Sequence, residues 1–506
     1  MLKMNKKSEK FYITTSIAYT NSIPHLGFAL ELVQADVISR YNRILGKEVF
    51  FLTGTDEHGQ KICKAAENTG KDPKDFTDNL SEQFKQLAIK LNLSNDDFIR
   101  TTDQKRHWPA VETVWKKIKE NGDIYKKKYQ GLYCVGCEAF ITRKDLVDGK
   151  CKIHLKEPEK IEEENYFFKL SKYSKEIKKL IEKNEIQIIP EERKNEMLSF
   201  IEQGLEDISF SRPRKDLKWG IPVPGDDTQT IYVWADALTN YISALGYPDG
   251  ASFKKFWPAD VHFLGKDILR FHAIIWPAML LALKLPLFKK IFVHGFITSN
   301  GQKMSKSLGN VIDPFELIEK YGSDSIRYYL LREISPTEDG DFTQDKFKER
   351  YNADLANGVG NLVSRVLTLI DKRFEGKIPE SSVGMPKSLT RKIDDYQKSL
   401  NNLRIDQALK EIMSICSELD ERIDKEKIYK ADSSVLDDTL YEFAETIRIW
   451  AHLALPFLPE TARKTFEQLG LSPAEELNKK FKDVIKWGGL KPGDKIKKRS
   501  PLFPRI

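Results

Sequence analysis

At 506 residues, and with about 150 residues per domain as the usual scale, the chain is long enough for three or four domains. Its 40% hydrophobic and 31% charged residues, with 28 Phe, 18 Tyr and 8 Trp, supply enough apolar surface to offset chain entropy and exclude wholesale disorder. A net charge of +7 permits a polyanionic partner without demanding one, and five cysteines are too few for a disulfide framework.

Residues 1–10 are polar and basic, with no apolar stretch of the signal-peptide kind, so a reducing, cytoplasmic setting is expected. Residues 11–15 read as a strand. After a loop closed by Pro24, Leu30, Val33, Val37, Tyr41 and Ile44 recur at helical spacing, and 49–53 read as a second buried strand. Together they form a βαβ unit with parallel strands. Similar short apolar runs return at 231–234, 261–264 and 291–293, so the sheet is expected to be split by an insertion. The stretch 118–230 is Lys/Glu-rich, holds three of the five cysteines and is read as a separate inserted domain. The longest apolar run, 273–283, contains Pro277 and falls short of the roughly 18 to 20 residues needed to cross a bilayer. From Phe347 onward Leu355, Val359, Leu362, Val366 and Leu369 signal an all-helical domain, and from Gly488 a Gly/Pro/Lys-rich tail reads as an extended strap.

Two segments carry the chemistry. Pro24-His25-Leu26-Gly27-Phe28 opens the first helix, where free backbone N–H groups and the positive dipole end suit an anion; the plain alternative is a helix cap. Lys303-Met304-Ser305-Lys306-Ser307 follows a predicted strand, and its two ammonium groups can close on a triphosphate and stabilise a departing pyrophosphate. Taken alone it could be a solvated basic loop. No Gly-x-Gly-x-x-Gly follows a strand, and 295–303 lack Walker A spacing.

In that order along the chain the two motifs resemble those of the class I aminoacyl-tRNA synthetases. The resemblance extends to the methionyl-tRNA synthetase family through 15–21 (Thr-Ser-Ile-Ala-Tyr-Thr-Asn), 54–59 (Gly-Thr-Asp-Glu-His-Gly), 233–238 (Val-Trp-Ala-Asp-Ala-Leu) and Gly265-Lys266-Asp267. The fold it implies is a multidomain α/β protein: a Rossmann-like parallel sheet split by a zinc-binding connective insertion, followed by an all-α anticodon-binding helical bundle. The division is placed at 1–117 and 231–295 for the catalytic halves, 118–230 for the insertion, 296–346 for the Lys-Met-Ser-Lys-Ser and stem-contact region, and 347–506 for the helical domain and tail. Phe28 departs from the family motif, which usually ends in a second histidine or asparagine. A phosphate or ribose contact made by that side chain must then come from elsewhere.

The resemblance implies ATP, Mg2+, L-methionine and tRNA(Met) as ligands, with His25, Lys303 and Lys306 as catalytic residues. By the same resemblance ATP is held by His25, Gly27, Gly265, Asp267, Ile297, Lys303 and Lys306. Asp56 is placed to hold the substrate ammonium as a charge-assisted pair; its plain alternative is a helix-capping Asp. Ile17, Tyr19, Trp234, Leu238, Tyr241 and His272 match the family's side-chain pocket and suit a thioether, since sulfur packs well on aromatic edges. Trp234, Leu238 and Tyr241 alone would fit any amphipathic helix face. Tyr19 and His272, expected on separate strands, favour a pocket. His58 and His294 also match the family and are set aside as structural hydrogen-bonding groups.

Cys134-x2-Cys137-x13-Cys151-x2-His154 has knuckle spacing, and three thiolates with one imidazole suit a closed tetrahedral, structural zinc site. Cys63 and Cys416 lack partner spacing. Asn361 and Arg365, four apart on one helical face, match the family's anticodon-reading pair, with Tyr429 as a base-stacking side chain. The large editing insertions of the leucyl, isoleucyl and valyl enzymes do not fit into 118–230, and a cysteinyl enzyme would carry a cysteine where Ile17 and Tyr19 stand. A small carboxylate-adenylating enzyme and a catalytically dead tRNA-binding module remain as alternatives; the first would not need the helical domain, and only Phe28 encourages the second. The chain ends at Ile506 without the tRNA-binding and dimerising domain that longer family members append, so a monomer is expected.

Overall fold

The computed structural model describes residues 9–136, 139–141, 146–153, 155–303, 310–430, 433–497 and 500–506. Its centre is a sheet of seven parallel strands: β1 (Lys10–Thr15), β2 (Ala18–Tyr19), β3 (Glu48–Asp56), β4 (Asp97–Arg100), β5 (Gln187–Ile189), β6 (Val261–Gly265) and β7 (Lys290–His294). The order runs β5-β7-β6-β1-β3, with β4 on the far edge of β3. The short β2 continues along the β1 side of β3 by pairing Ala18 with Thr55 and Tyr19 with Asp56.

Side chains alternate across this sheet with the period of two that a pleated strand imposes. Ile13, Phe51, Phe263 and Phe292 enter one core, while Tyr12, Leu52, Leu264 and Val293 enter the other. Both faces are covered, which is why the strands read as continuous apolar runs. The first core also holds α1 (Leu26–Ile44) and the helical domain. All but three of the 19 residues of α1 are buried, so it is a central strut wedged between sheet and bundle. Its Asp36 and the bundle-side Arg327 are both fully buried and 2.8 Å apart, and Arg327 also donates to the carbonyls of Phe457, Pro456 and Leu91.

The second core holds α2 (His107–Glu120), α3 (Val233–Leu238) and the irregular helix around 271–282. Residues 351–374 and the helices Lys387–Asn401, Ile405–Lys425, Ser433–Ala454 and Pro459–Gln468 form the helical domain. The tail returns across it, burying Leu502 and Phe503 and bonding the backbone of Ile506 to Asn352. No helix among the described residues is long and apolar enough to cross a membrane.

Three expectations are corrected. Residues 231–234 are not a strand of the parallel sheet: Asp226–Ile231 pairs antiparallel with Ser211–Pro213 and Pro222–Val223, and the chain turns helical at Val233. One apolar run there spans two elements, and four residues are too few to separate their periods. The insertion is not wholly separate, because β5, from within 118–230, pairs in parallel with β7. His272 lies in a π-helical turn, Phe271–Ile275, rather than on a strand.

Candidate active site

Strands β1, β3, β6 and β7 all point their carboxyl ends at one crevice of about 1680 Å3, the place where open α/β sheets bind ligands. Twelve of the residues singled out above line it: Ile17, Tyr19, Asp56, Trp234, Leu238, Tyr241 and His272 on the amino-acid side, and His25, Gly27, Gly265, Asp267 and Ile297 on the nucleotide side.

On the amino-acid side, parallel pairing sets Tyr19 beside Asp56. The Asp56 carboxylate is nearly buried and accepts from the Thr101 hydroxyl at 3.5 Å, while Thr20 donates to its carbonyl through both backbone and side chain at 3.0 Å. Trp234 lies flat on Phe271, ring centroids 3.6 Å apart and planes 7° from parallel. Leu238 and Tyr241 are buried below it. The π-helical turn shifts His272 so that its Nδ1–H donates to the Ile268 carbonyl at 3.0 Å, and its Nε2 accepts from the Tyr241 hydroxyl at 2.7 Å. Burial pushes the His272 pKa down to about 4, so the imidazole is neutral at pH 7, and burial likewise raises that of Tyr241. The result is a largely aromatic pocket, its inner His272 neutral, with the Asp56 carboxylate at its mouth.

On the nucleotide side, His25 is the N-cap of α1: its extended backbone lets Nδ1 accept from the Gly27 N–H at 3.1 Å, which leaves Nε2–H as the outward donor. Although the ring reaches the open mouth of the crevice, the protein around it lowers its pKa, with nearby His294 lowering it further against the pull of Asp267. A Cβ at Gly27 would stand 3.1 Å from that ring, and one at Gly265 would stand 2.8 Å from the Asp267 carboxylate, so both glycines keep these side chains close to the backbone. Ile297 begins a short strand, Ile297–Ser299, which pairs antiparallel with Gln302–Lys303 through a turn at Asn300 and Gly301, both at positive φ. Asp341 pins this hairpin, accepting from Thr298 Oγ1 at 2.6 Å and Gly301 N at 2.7 Å. Lys303 ends the second strand of the hairpin; its side chain and Lys306 lie outside the described residues.

Phe28 is largely buried, edge-on to Phe84 at 5.1 Å, and the two rings form part of the crevice wall. One turn further along α1, Glu31 accepts from Ser16 N and Oγ at 2.7 Å each and meets His294 Nε2 at 2.9 Å. Burial opposes a charge on His294, but Glu31 outweighs it and raises the pKa. Phe271, Glu31 and His294 all line the crevice and were missed or set aside in the sequence. Only His294 had a visible signal, its match to the family pattern.

At the insertion end of the crevice, which Cys151 and Ile141 help to line, Cys134 and Cys151 are both buried and share one small apolar cluster with Ile141, while Cys137 and His154 lie outside the described residues. Among the described residues no group of three or more metal-binding side chains forms. Cys134 and Cys151, at the ends of two hairpins, are soft donors of the kind a tetrahedral zinc site of three thiolates and one imidazole would take. In the helical domain, Asn361 opens the helix Asn361–Phe374, and Arg365 on it is held by Asp420 at 2.7 Å and Asp424 at 2.5 Å. Tyr429 is 45% exposed, and its carbonyl accepts from Arg373 of the same helix at 2.9 Å.

A family model described as tRNA synthetases class I (M) matches residues 11–151 and 141–367. The methionine–tRNA ligase of Caldanaerobacter subterraneus subsp. tengcongensis is 46% identical over 98% of this chain and 79% of its own length. That of Brucella suis is 42% identical over 98% of each chain. Among solved structures, Mycobacterium tuberculosis methionyl-tRNA synthetase in complex with methionyl-adenylate superposes with a TM-score of 0.92 at 36% identity, covering 98% of this chain and all of that one.

Proposed function

Because the chain belongs to the methionyl-tRNA synthetase family of class I aminoacyl-tRNA synthetases, we propose that its own residues divide the reaction as follows. The activity is ATP-dependent attachment of L-methionine to tRNA(Met), through a methionyl-adenylate, for initiation and elongation. A carboxylate oxygen of methionine attacks the α-phosphorus of ATP and the bond to pyrophosphate breaks. A hydroxyl of the tRNA 3′-terminal adenosine then attacks the mixed anhydride and releases AMP.

The Asp56 carboxylate holds the α-ammonium at the pocket mouth. The thioether enters between Ile17, Tyr19, Trp234, Leu238 and Tyr241, where a neutral His272 keeps the Tyr241 hydroxyl turned inward. A largely aromatic wall favours methionine over polar amino acids, since any polar side chain would be stripped of water without compensation. His25 Nε2–H and the α1 amino end face the phosphates, Gly27 keeps the helix start open, Gly265 and Asp267 take the ribose, and Ile297 packs near adenine. Lys303 and Lys306 neutralise the departing pyrophosphate. Mg2+ accompanies ATP and shields its phosphate charge. Catalysis is positioning plus charge stabilisation, with no covalent enzyme intermediate.

Cys134, Cys137, Cys151 and His154 would hold one structural zinc, which ties together the hairpins of the insertion. Asn361, Arg365 and Tyr429 would read the anticodon, with Arg365 leaving Asp420 and Asp424 for the bases. The domain division at 1–117, 118–230, 231–295, 296–346 and 347–506 serves these roles. The working unit is read as a monomer, and the scarcity of cysteines supports action in the cytoplasm.

The observation that carries this reading is the single crevice joining an ammonium-binding carboxylate, an aromatic pocket and a helix start. Mixing enzyme, methionine and ATP without tRNA should accumulate enzyme-bound methionyl-AMP, which added tRNA(Met) then discharges. Adenylate that tRNA(Met) cannot discharge would contradict it.

A further inference from the structure

Asp236 sits two residues after Trp234, on α3, with its carboxylate 1% exposed. His58 Nδ1 lies 2.7 Å from one carboxylate oxygen and His107 Nε2 lies 2.7 Å from the other. Both imidazoles are buried, and they come from different parts of the chain, the turn after β3 and the start of α2. Burial penalises the charge on Asp236, but the two histidines outweigh it and hold its pKa below the usual carboxylate range. An ionised Asp236 fixes the proton positions. His58 donates through Nδ1, His107 donates through Nε2, and His107 Nδ1 lies 2.8 Å from the Ser243 hydroxyl.

A buried carboxylate is costly unless every lone pair is used, and this one stands where the two halves of the amino-acid site meet. Asp56 is two residues before His58, and Trp234 is two residues before Asp236. A second tie runs in parallel: the His58 ring is edge-on to Trp108 at 5.9 Å, Trp108 Nε1 donates to the Thr101 carbonyl at 3.0 Å, and the Thr101 hydroxyl reaches Asp56. His25, Gly265 and Asp267, on the nucleotide side, belong to none of these elements.

We infer that Asp236 is a positioning residue for the amino acid. Clamped between His58 and His107, it locks the turn carrying Asp56 against the helix carrying Trp234, so that the ammonium ligand and the thioether wall keep one fixed separation. The inference rests on the reading of Asp56 and Trp234 as methionine contacts. Methionine spans both, so loosening the clamp blurs the distance it must match while leaving the ATP contacts in place.

The test is pyrophosphate exchange with Asp56→Asn, Asp236→Asn and the double variant, reading KM for methionine and for ATP. Asp56→Asn should raise KM for methionine about tenfold or more, as for a lost charge-assisted hydrogen bond. Asp236→Asn should raise it by a similar factor with KM for ATP within about twofold, and the double variant should be no worse than the larger single effect within about twofold, since both act through one contact. An unchanged KM for methionine in Asp56→Asn overturns the underlying reading and the clamp with it. A large effect in Asp56→Asn with none in Asp236→Asn, equal rises for both substrates, or fully multiplicative effects overturn the clamp alone. Should Asp236→Asn fail to fold, His58→Ala should show the same methionine-selective rise. His58→Asn, whose amide can replace the Nδ1 donor, should recover most of it, and no recovery overturns the clamp.

Discussion

The Lys303 and Lys306 ammonium groups are assigned to the departing pyrophosphate and Asp56 to the substrate ammonium, so the two ends of the site should fail in different ways. Lys306→Ala should slow adenylate formation by about 10²- to 10³-fold, the usual loss on removing one transition-state donor. Methionine affinity measured at equilibrium should stay within about twofold of wild type, since the lysine acts only on the phosphates. Rapid-quench adenylate formation beside calorimetric methionine binding checks both, and equal losses in the two would remove Lys306 from its role. The Glu31–His294 pair makes a separate prediction. The His294 pKa is raised on folding, so its ion pair contributes fully at pH values below the unfolded histidine pKa of about 6.5 and is lost as pH rises through the folded value. The drop in melting temperature caused by His294→Gln should therefore be larger at pH 6 than at pH 9. A drop that grows with pH would contradict the assignment.

At the scale of elements, β1, α1 and β3 were legible because each carries an uninterrupted period and the segments are adjacent in sequence, so pattern and pairing agree. Strand β5 was not: Gln187-Ile188-Ile189 is too short to show a period, and its partner β7 lies about a hundred residues away, so tertiary pairing alone makes it a strand. Residues 231–234 were misread for the related reason that a strand end and a helix start share one apolar run. The residues lining the crevice were largely readable, since Asp56, Trp234 and Gly265 lie in compact motifs. The supporting networks were not. Asp236 looks like a surface polar residue of a helix, Glu31 like one more acid on α1, and each becomes meaningful only when a distant histidine is brought to within 2.9 Å. The insertion offers a direct check at this scale. Elemental analysis of the purified protein should find one zinc per chain, and Cys151→Ala should lose it and lower the melting temperature, because metal bound only by the folded form contributes its binding energy to folding. Full zinc content in Cys151→Ala would dismiss the four-ligand site.

For the molecule as a whole, α1 joins the crevice to the helical bundle. Its amino end carries His25 at the crevice, and its middle is anchored by Asp36 to Arg327, which also donates to the carbonyls at 456–457 in the bundle and to that of Leu91. The apolar core on that side is continuous from the sheet through α1 into the helical domain, so the two regions are expected to unfold together. Asp36→Asn would leave Arg327 buried with its charge uncompensated, at a cost of about 3 to 5 kcal/mol. Urea unfolding followed by tryptophan fluorescence should show the midpoint falling in one transition; an unchanged midpoint would mean that the pair anchors nothing.

If one crevice selects methionine and makes its adenylate, amino-acid-dependent exchange of pyrophosphate into ATP, run without tRNA, isolates that step. Offered methionine, leucine, isoleucine, valine and cysteine in turn, the enzyme should exchange with methionine and fall to background with the others. Exchange led by another amino acid would contradict the pocket built from Ile17, Tyr19, Trp234, Leu238, Tyr241 and His272, and no exchange with any of them, from folded protein, would contradict the catalytic account itself.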